Sequence, residues 1–113
     1  MIIDSYGFGS ITVDGKTCCS DVTIFPDRID SDWRRKSGHL MSEEDIVEIL
    51  EYGPEMLIIG TGKSGLMKVD SKVVERLDSL GIEYIIKKTD DAVMEYNKLE
   101  EKDKVVCAFH LTC

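Results

Sequence analysis

Met56-Leu57-Ile58-Ile59-Gly60-Thr61-Gly62-Lys63-Ser64-Gly65 decides how the rest of the chain is read. A short apolar run without charge stops abruptly at a glycine-rich polar loop. The run has the length of a buried strand, so its expected place is the centre of a sheet. A strand that ends in glycines is where an α/β protein usually turns backbone amides toward a ligand.

Helix patterns and apolar strands alternate downstream of this run. Ser42 is the expected cap of a first helix, with Asp45 at the capping-box position and Ile46, Ile49 and Leu50, flanked by Val47, as the buried stripe. Gly53-Pro54 ends it. Ser71 is the expected cap of a second helix with Val73, Val74, Leu77 and Leu80 inside, closed by Gly81. Thr89 or Asp90 is the expected cap of a third, with Ala92, Val93, Tyr96 and Leu99 inside. Between and after them lie the strands Ile82–Ile86 and Val105–Phe109. Helix alternating with apolar strand predicts a helix-covered, largely parallel sheet with right-handed crossovers.

The N-terminal third reads as β structure. Asp14-Gly15 after Ile11-Thr12-Val13 is a hairpin signal, because both residues tolerate positive φ. The return strand is expected over Lys16–Phe25, and Pro26-Asp27 stops it. Tyr6-Gly7-Phe8-Gly9 predicts a bend or bulge. Asp27 to Met41 shows no period and holds Trp33, Arg28, Arg34, Arg35 and Lys36; a long irregular segment inside a compact domain is often functional.

Composition narrows the function classes. The chain of 113 residues fits one domain, residues 1–113, and its net charge of −8 argues against a nucleic-acid or anionic-membrane surface. No apolar run approaches the roughly 20 residues that cross a bilayer, and the N-terminus lacks the basic and apolar regions of a signal peptide. A cytoplasmic protein is the expectation. Cys18, Cys19, Cys107 and Cys113 form no Cys-x-x-Cys pair, and His39 and His110 stand in unrelated segments, so no metal site and no cofactor are expected.

Gly60-Thr61-Gly62-Lys63-Ser64-Gly65 carries the letters of G-x-G-x-x-G, yet the next helix starts only at Ser71, too late for its amides to meet a pyrophosphate. Gly62-Lys63-Ser64 ends like a phosphate-binding loop, but Leu57 stands where that motif requires glycine. A tight turn off the strand, with close packing at the glycines, remains the plainer reading. No catalytic residue is assigned, since Ser64 is not in a nucleophile elbow and neither histidine has a sequence-near nucleophile. His110, in an apolar strand, reads as a structural histidine.

The chain resembles a family of small single-domain proteins that includes the adipogenesis-associated domain protein and, more distantly, mitochondrial complex I assembly factor 3. The resemblance rests on Asp32-Trp33-Arg34 with Gly38-His39, on Ile58-Ile59-Gly60-Thr61-Gly62-Lys63-Ser64 and on Leu66-Met67-Lys68-Val69. It continues in Thr89-Asp90-Asp91-Ala92-Val93-x-x-Tyr96-Asn97 and Phe109-His110-x-Thr112-Cys113. It implies a three-layer α/β fold: a mixed, mostly parallel central sheet with one antiparallel strand, helices on its faces, and an N-terminal β-hairpin apart. It implies no established enzyme activity.

The expected function is a non-catalytic binding or assembly protein. Its candidate binding residues are Trp33, Arg34 and His39 in the basic loop and Gly60, Thr61, Gly62, Lys63 and Ser64 in the glycine loop. The expected partner is a protein or a small anionic ligand, and a homo-oligomer fits the same reading. The alternative is a small hydrolase or transferase acting on an anionic metabolite.

Overall fold

A computed structural model describes residues Met1–Cys113. β1 (Ile3–Gly7), β2 (Ser10–Val13) and β3 (Lys16–Cys18) form an antiparallel sheet in that order. Asp14 and Gly15 reverse the chain between β2 and β3 with φ of 48° and 80°, as a primed hairpin turn requires. The expected hairpin is therefore the second half of a three-stranded sheet. Phe8-Gly9, read as a bend, makes the other reversal.

The return strand expected over Lys16–Phe25 is two strands. It breaks at Cys19-Ser20-Asp21, and β4 (Val22–Phe25) belongs to a different sheet. The burial pattern explains the break. β3 buries only Cys18, whereas all four positions of β4 are buried, so the first flanks solvent and the second is covered on both faces.

Pro26-Asp27 turns the chain into β5 (Arg28–Asp30), which pairs antiparallel with β4. The irregular segment shrinks accordingly to residues 31–39, followed by the short β6 (Leu40–Met41). A 3-10 turn, Glu43–Ile46, leads into α1 (Val47–Tyr52). The Asp45 carboxylate accepts from the Ser42 backbone N–H at 2.7 Å and from its hydroxyl at 3.0 Å. β7 (Met56–Thr61) and β8 (Lys68–Val69) follow, then α2 (Ser71–Ser79). Asp70, one residue before the expected cap, accepts from Lys72 N–H at 3.0 Å. β9 (Glu83–Lys87), α3 (Thr89–Lys98) and β10 (Val105–His110) complete the chain. Leu80 and Val47, expected near the buried stripes, are exposed.

The main sheet is mixed, with strand order β5-β4-β10-β7-β9. β10 is parallel to β7, β7 is parallel to β9, and β4 runs antiparallel to both β10 and β5. The middle strand is β10 rather than β7. Both are apolar runs buried on two faces, and hydropathy alone does not rank two such strands within a sheet. β10 is buried at every position.

Alternation along β7 and β10 divides the core in two. Ile58, Cys107 and Phe109 pack with Ala92 and Tyr96 of α3 and with Ile11 and Val13 of the N-terminal sheet. Leu57, Ile59, Val106 and Ala108 pack with Ile46, Ile49, Val73 and Leu77. Each fully buried Leu, Ile or Phe contributes about 1.5–3 kcal/mol as an upper bound.

Gly60 marks where the sheet admits no side chain. A Cβ there would stand 2.8 Å from both the Phe109 ring and the Thr89 hydroxyl, and 3.2 Å from the Thr89 Cα. Gly60→Ala is expected to cost about 1–3 kcal/mol by overpacking. Gly7→Ala, with nothing within 4 Å of the new methyl, is expected to stay within about 0.5 kcal/mol. Urea unfolding midpoints of the two variants check the contrast.

Candidate functional site

The parallel strands β7, β9 and β10 all end on one side, at Thr61, Lys87 and His110, so the glycine loop emerges beside the end of the middle strand. The loop is held there by hydrogen bonds from its own backbone. Gly62 N–H donates to the Thr89 hydroxyl at 2.9 Å, and that hydroxyl donates to the His110 carbonyl at 2.7 Å. Lys63 N–H donates to Thr112 O at 2.7 Å, Leu66 N–H to Cys113 O at 2.8 Å and Gly65 N–H to Gly62 O at 3.3 Å. The amides of Gly62, Lys63, Gly65 and Leu66 are thus engaged within the chain rather than turned toward an anion. Gly62, at φ 106°, lies so close to Cys113 that a Cβ would fall 2.4 Å from its carbonyl carbon.

The remaining loop side chains diverge. Thr61 is buried and its hydroxyl donates to Lys87 O at 3.2 Å. Lys63 pairs with Asp90 at 3.0 Å and lies 5.3 Å from the centre of the Tyr6 ring. Ser64 is exposed. Thr89, read as a helix cap, instead joins the glycine loop to β10.

In the basic segment, Trp33 is buried against the α1 side of the sheet, and its Nε1–H donates to Asp45 O at 3.0 Å. Arg34 points outward, 84% exposed, with Asp32 as its partner at 2.9 Å. Exposed His39 sets its ring edge-on to that of His110, with centroids 5.9 Å apart. The two loops therefore meet at His110, flanked by His39 on one side and Gly62 on the other.

His110 belongs to a buried ionic cluster that sequence reasoning did not assemble. Asp21 Oδ1 accepts from Leu111 N–H at 2.7 Å, while Oδ2 accepts from His110 Nδ1 at 2.8 Å and Arg35 Nη2 at 2.7 Å. Arg35 Nη2 also reaches Gly38 O at 2.8 Å, so its two hydrogens go to Asp21 and Gly38. The 3.1 Å approach of Nη2 to His110 Nδ1 is then a donor beside a donor. This assigns the Nδ1–H tautomer to a neutral His110 and leaves Nε2 as the acceptor, 3.5 Å from the Thr112 hydroxyl.

The Arg35 guanidinium lies over Trp33, 4.7 Å from the ring centre, with its side chain only 4% exposed. Its Nε and Nη1 are buried without a hydrogen-bond partner. Burial alone would raise the Asp21 pKa. The hydrogen bonds from His110, Leu111 N–H and Arg35, with the Arg35 charge, outweigh it and hold the carboxyl below its ordinary range.

Asp21 sits in the break between β3 and β4 and Arg35 in the irregular segment, so neither carried a periodic signal. The one available signal was the charge of Asp21 placed immediately before a four-residue apolar strand. A groove of about 460 Å³ opens over the cluster, lined by Cys19, Ser20, Asp21, Arg34, Arg35 and Thr112 together with Asp32 and Trp33. No glycine-loop residue lines it. No group of three or more His, Cys, Asp or Glu side chains is arranged to hold a metal.

Residues 3–110 match a family described as proteins of unknown function, DUF498/DUF598. The chain belongs to that family. Its fold is similar to that of PH1505, a conserved hypothetical protein from Pyrococcus horikoshii OT3, with TM-score 0.87 and 26% identity over 100% of both chains. It is also similar to a structure named MT938, with TM-score 0.81 and 28% identity over 99% of this chain and 98% of the other. A Bartonella henselae protein described as an outer membrane protein shares the fold at TM-score 0.82 and 24% identity, over 98% of this chain and 94% of the other. No helix of the present DUF498/DUF598 member is long and apolar enough to cross a membrane.

Replacing Asp21 by Asn leaves the Arg35 charge buried without its counter-ion, which is expected to cost about 3–5 kcal/mol. Because the folded-state pKa of Asp21 is depressed, its contribution is fully present above the unfolded carboxylate value of about 3.9. It is lost as pH falls through the lower folded value. Urea unfolding should therefore show the wild type losing its advantage over Asp21→Asn on acidification below about pH 4.

Proposed function

We propose that the chain is a non-catalytic binding protein whose partner or ligand docks in the groove over Asp21 and Arg35 and presents an anionic group. The observation that carries this reading is the buried Arg35, oriented by Asp21 and Trp33 yet left with two unpartnered guanidinium nitrogens beneath a concave surface. Unsatisfied buried donors are costly, and an anion that draws the Arg35 guanidinium toward the groove regains that energy. Arg34, exposed and paired with one exposed carboxylate, is the outer hook, and a charge-assisted contact to it adds selectivity for carboxylate or phosphate.

An acidic cytoplasmic protein with this groove fits a binding or assembly role. That is also what the resemblance to the adipogenesis-associated and complex I assembly proteins implies. Of the residues singled out in the sequence, Trp33 and Arg34 belong to the groove itself, and His39 and Gly62 flank His110 behind it. Gly60, Thr61, Lys63 and Ser64 act in this reading only through the position they give the end of β10.

Amide chemical shifts recorded while acetate, citrate or inorganic phosphate is added test the proposal. The expected result is a saturable shift at Ser20, Arg34, Arg35 and Thr112, with affinity for the best anion about tenfold weaker in Arg34→Ala. Shifts that are absent, or that spread without preference over the surface, would end this reading.

A second reading rests on the series Asp21 carboxylate, His110 imidazole and Thr112 hydroxyl, whose order is that of a carboxylate-oriented base beside a nucleophile. In a hydrolase or transferase acting on an anionic metabolite, Nε2 would take the Thr112 proton as the oxygen attacks, then return it to the leaving group. Turnover of p-nitrophenyl acetate or phosphate that Thr112→Val abolishes would favour it. Turnover that survives Thr112→Val, or none, leaves the binding reading in place.

A further inference from the structure

The far edge of the main sheet is open. β9 is the last strand in its order and pairs on one side only, with β7, in continuous register from Met56↔Glu83 to Gly60↔Lys87. Glu83 N–H donates to Glu55 O at 2.9 Å, and the Thr61 hydroxyl reaches Lys87 O at 3.2 Å, so the odd-numbered residues turn their backbone groups toward β7. In a parallel pair the N–H and C=O of one residue point to the same side. Tyr84 and Ile86 therefore turn theirs outward, leaving two donors and two acceptors along an exposed edge.

Proteins commonly blunt such an edge with a proline, a bulge, a charge in mid-strand or a covering loop. Glu83-Tyr84-Ile85-Ile86-Lys87 has neither proline nor mid-strand charge, and its register contains no bulge. Its charges stand at the two ends and are opposite in sign.

We infer that β9 is a self-association edge, at which two copies of this chain join antiparallel about a two-fold axis through Ile85. That register pairs Tyr84 of each copy with Ile86 of the other and Ile85 with its own symmetry mate. Glu83 of each copy then faces Lys87 of the other. The Tyr84–Ile86 pairs are the hydrogen-bonded ones, because those residues carry the outward backbone groups, and together they make four N–H···O bonds. The Glu83–Lys87 pairs fall at non-hydrogen-bonded positions, where side chains approach more closely.

Of the two-fold registers, the one centred on Ile85 alone sets opposite charges against each other at both ends. Centring on Tyr84 puts Glu83 against Ile85, and centring on Ile86 puts Lys87 against Ile85. Lys87 already contacts Glu95 of α3 at 3.2 Å, so in the dimer it lies between two carboxylates. The aromatic and β-branched pair Tyr84–Ile86 covers side chains now half-buried or exposed. Two like-charged molecules repel at long range, which makes the association weaker at low salt than the local pairing would give.

Sedimentation equilibrium of the full chain across a wide concentration range tests the inference, with circular dichroism confirming the fold of each variant. Wild type is expected to pass from monomer to dimer, and Tyr84 and Ile86 amides to exchange more slowly as dimer forms. Glu83→Lys sets like charges opposite each other twice and is expected to weaken the dimer about tenfold. Adding Lys87→Glu to it is expected to recover most of the loss. A monomer at every concentration overturns the inference. So does a dimer indifferent to Glu83→Lys, or one not recovered by the double exchange.

Discussion

The Asp21 carboxylate is the interaction on which the end of the sheet depends. Its two oxygens receive the Leu111 N–H, the His110 imidazole and the Arg35 guanidinium, which come from the far end of the chain and from the irregular segment. Its own carbonyl accepts from Trp33 N–H at 2.9 Å. One residue in the gap between two sheets thus fixes two segments distant from each other in sequence. A surface pair of the Arg34–Asp32 kind contributes little, because water screens it and both side chains are free. The Asp21 cluster differs because Arg35 and His110 are almost wholly buried, so removing any one member strands a charge or a polar group without solvent.

Thr89 does for the glycine loop what Asp21 does for the irregular segment. Its hydroxyl accepts from Gly62 N–H and donates to His110 O, and its own N–H donates to Gly62 O at 3.1 Å. That mutual clasp requires Gly60 and Gly62 to have no Cβ, since either methyl would overlap Thr89, Phe109 or Cys113. The glycines are therefore a packing requirement of β10 and the segment beyond it. Their resemblance to a nucleotide fingerprint follows from the same demand for close backbone approach, met here by protein atoms in place of phosphate.

What the sequence disclosed follows from which forces are local. The three helices, the Asp14-Gly15 turn and the strands β7, β9 and β10 were legible because capping, φ preference and hydrophobic period are encoded within a few residues. The break at Cys19-Ser20-Asp21 was not, because Val22-Thr23-Ile24-Phe25 continues the β pattern and only its partner strand reveals that it has changed sheets. β10 as the middle strand was hidden for the same reason. The candidate site divides along this line. Trp33, Arg34 and His39 stood out by residue type, while Asp21 matters through its contact with His110, 89 residues away in sequence, and Arg35 through its contact with Asp21, 14 residues away. His110 was read as structural, and its hydrogen bond to Asp21 satisfies it. Its place at the meeting of two loops came from topology.

The location of the groove follows from the same topology. In open α/β sheets ligands usually bind beyond the carboxyl ends of the parallel strands. Here that position, past Thr61, Lys87 and His110, is filled by Leu111, Thr112 and Cys113. They are held down by Gly9 N–H on Leu111 O, Lys63 N–H on Thr112 O and Leu66 N–H on Cys113 O. The available concavity moves sideways, to the flank where antiparallel β4 begins and its preceding residues leave Asp21 beside Arg35. A sheet made only of parallel strands would have no such flank, since each crossover would return to the opposite end. The reversed strand β4 is therefore what brings an acid to the carboxyl end of β10, and the buried arginine follows as the counter-ion that this acid requires.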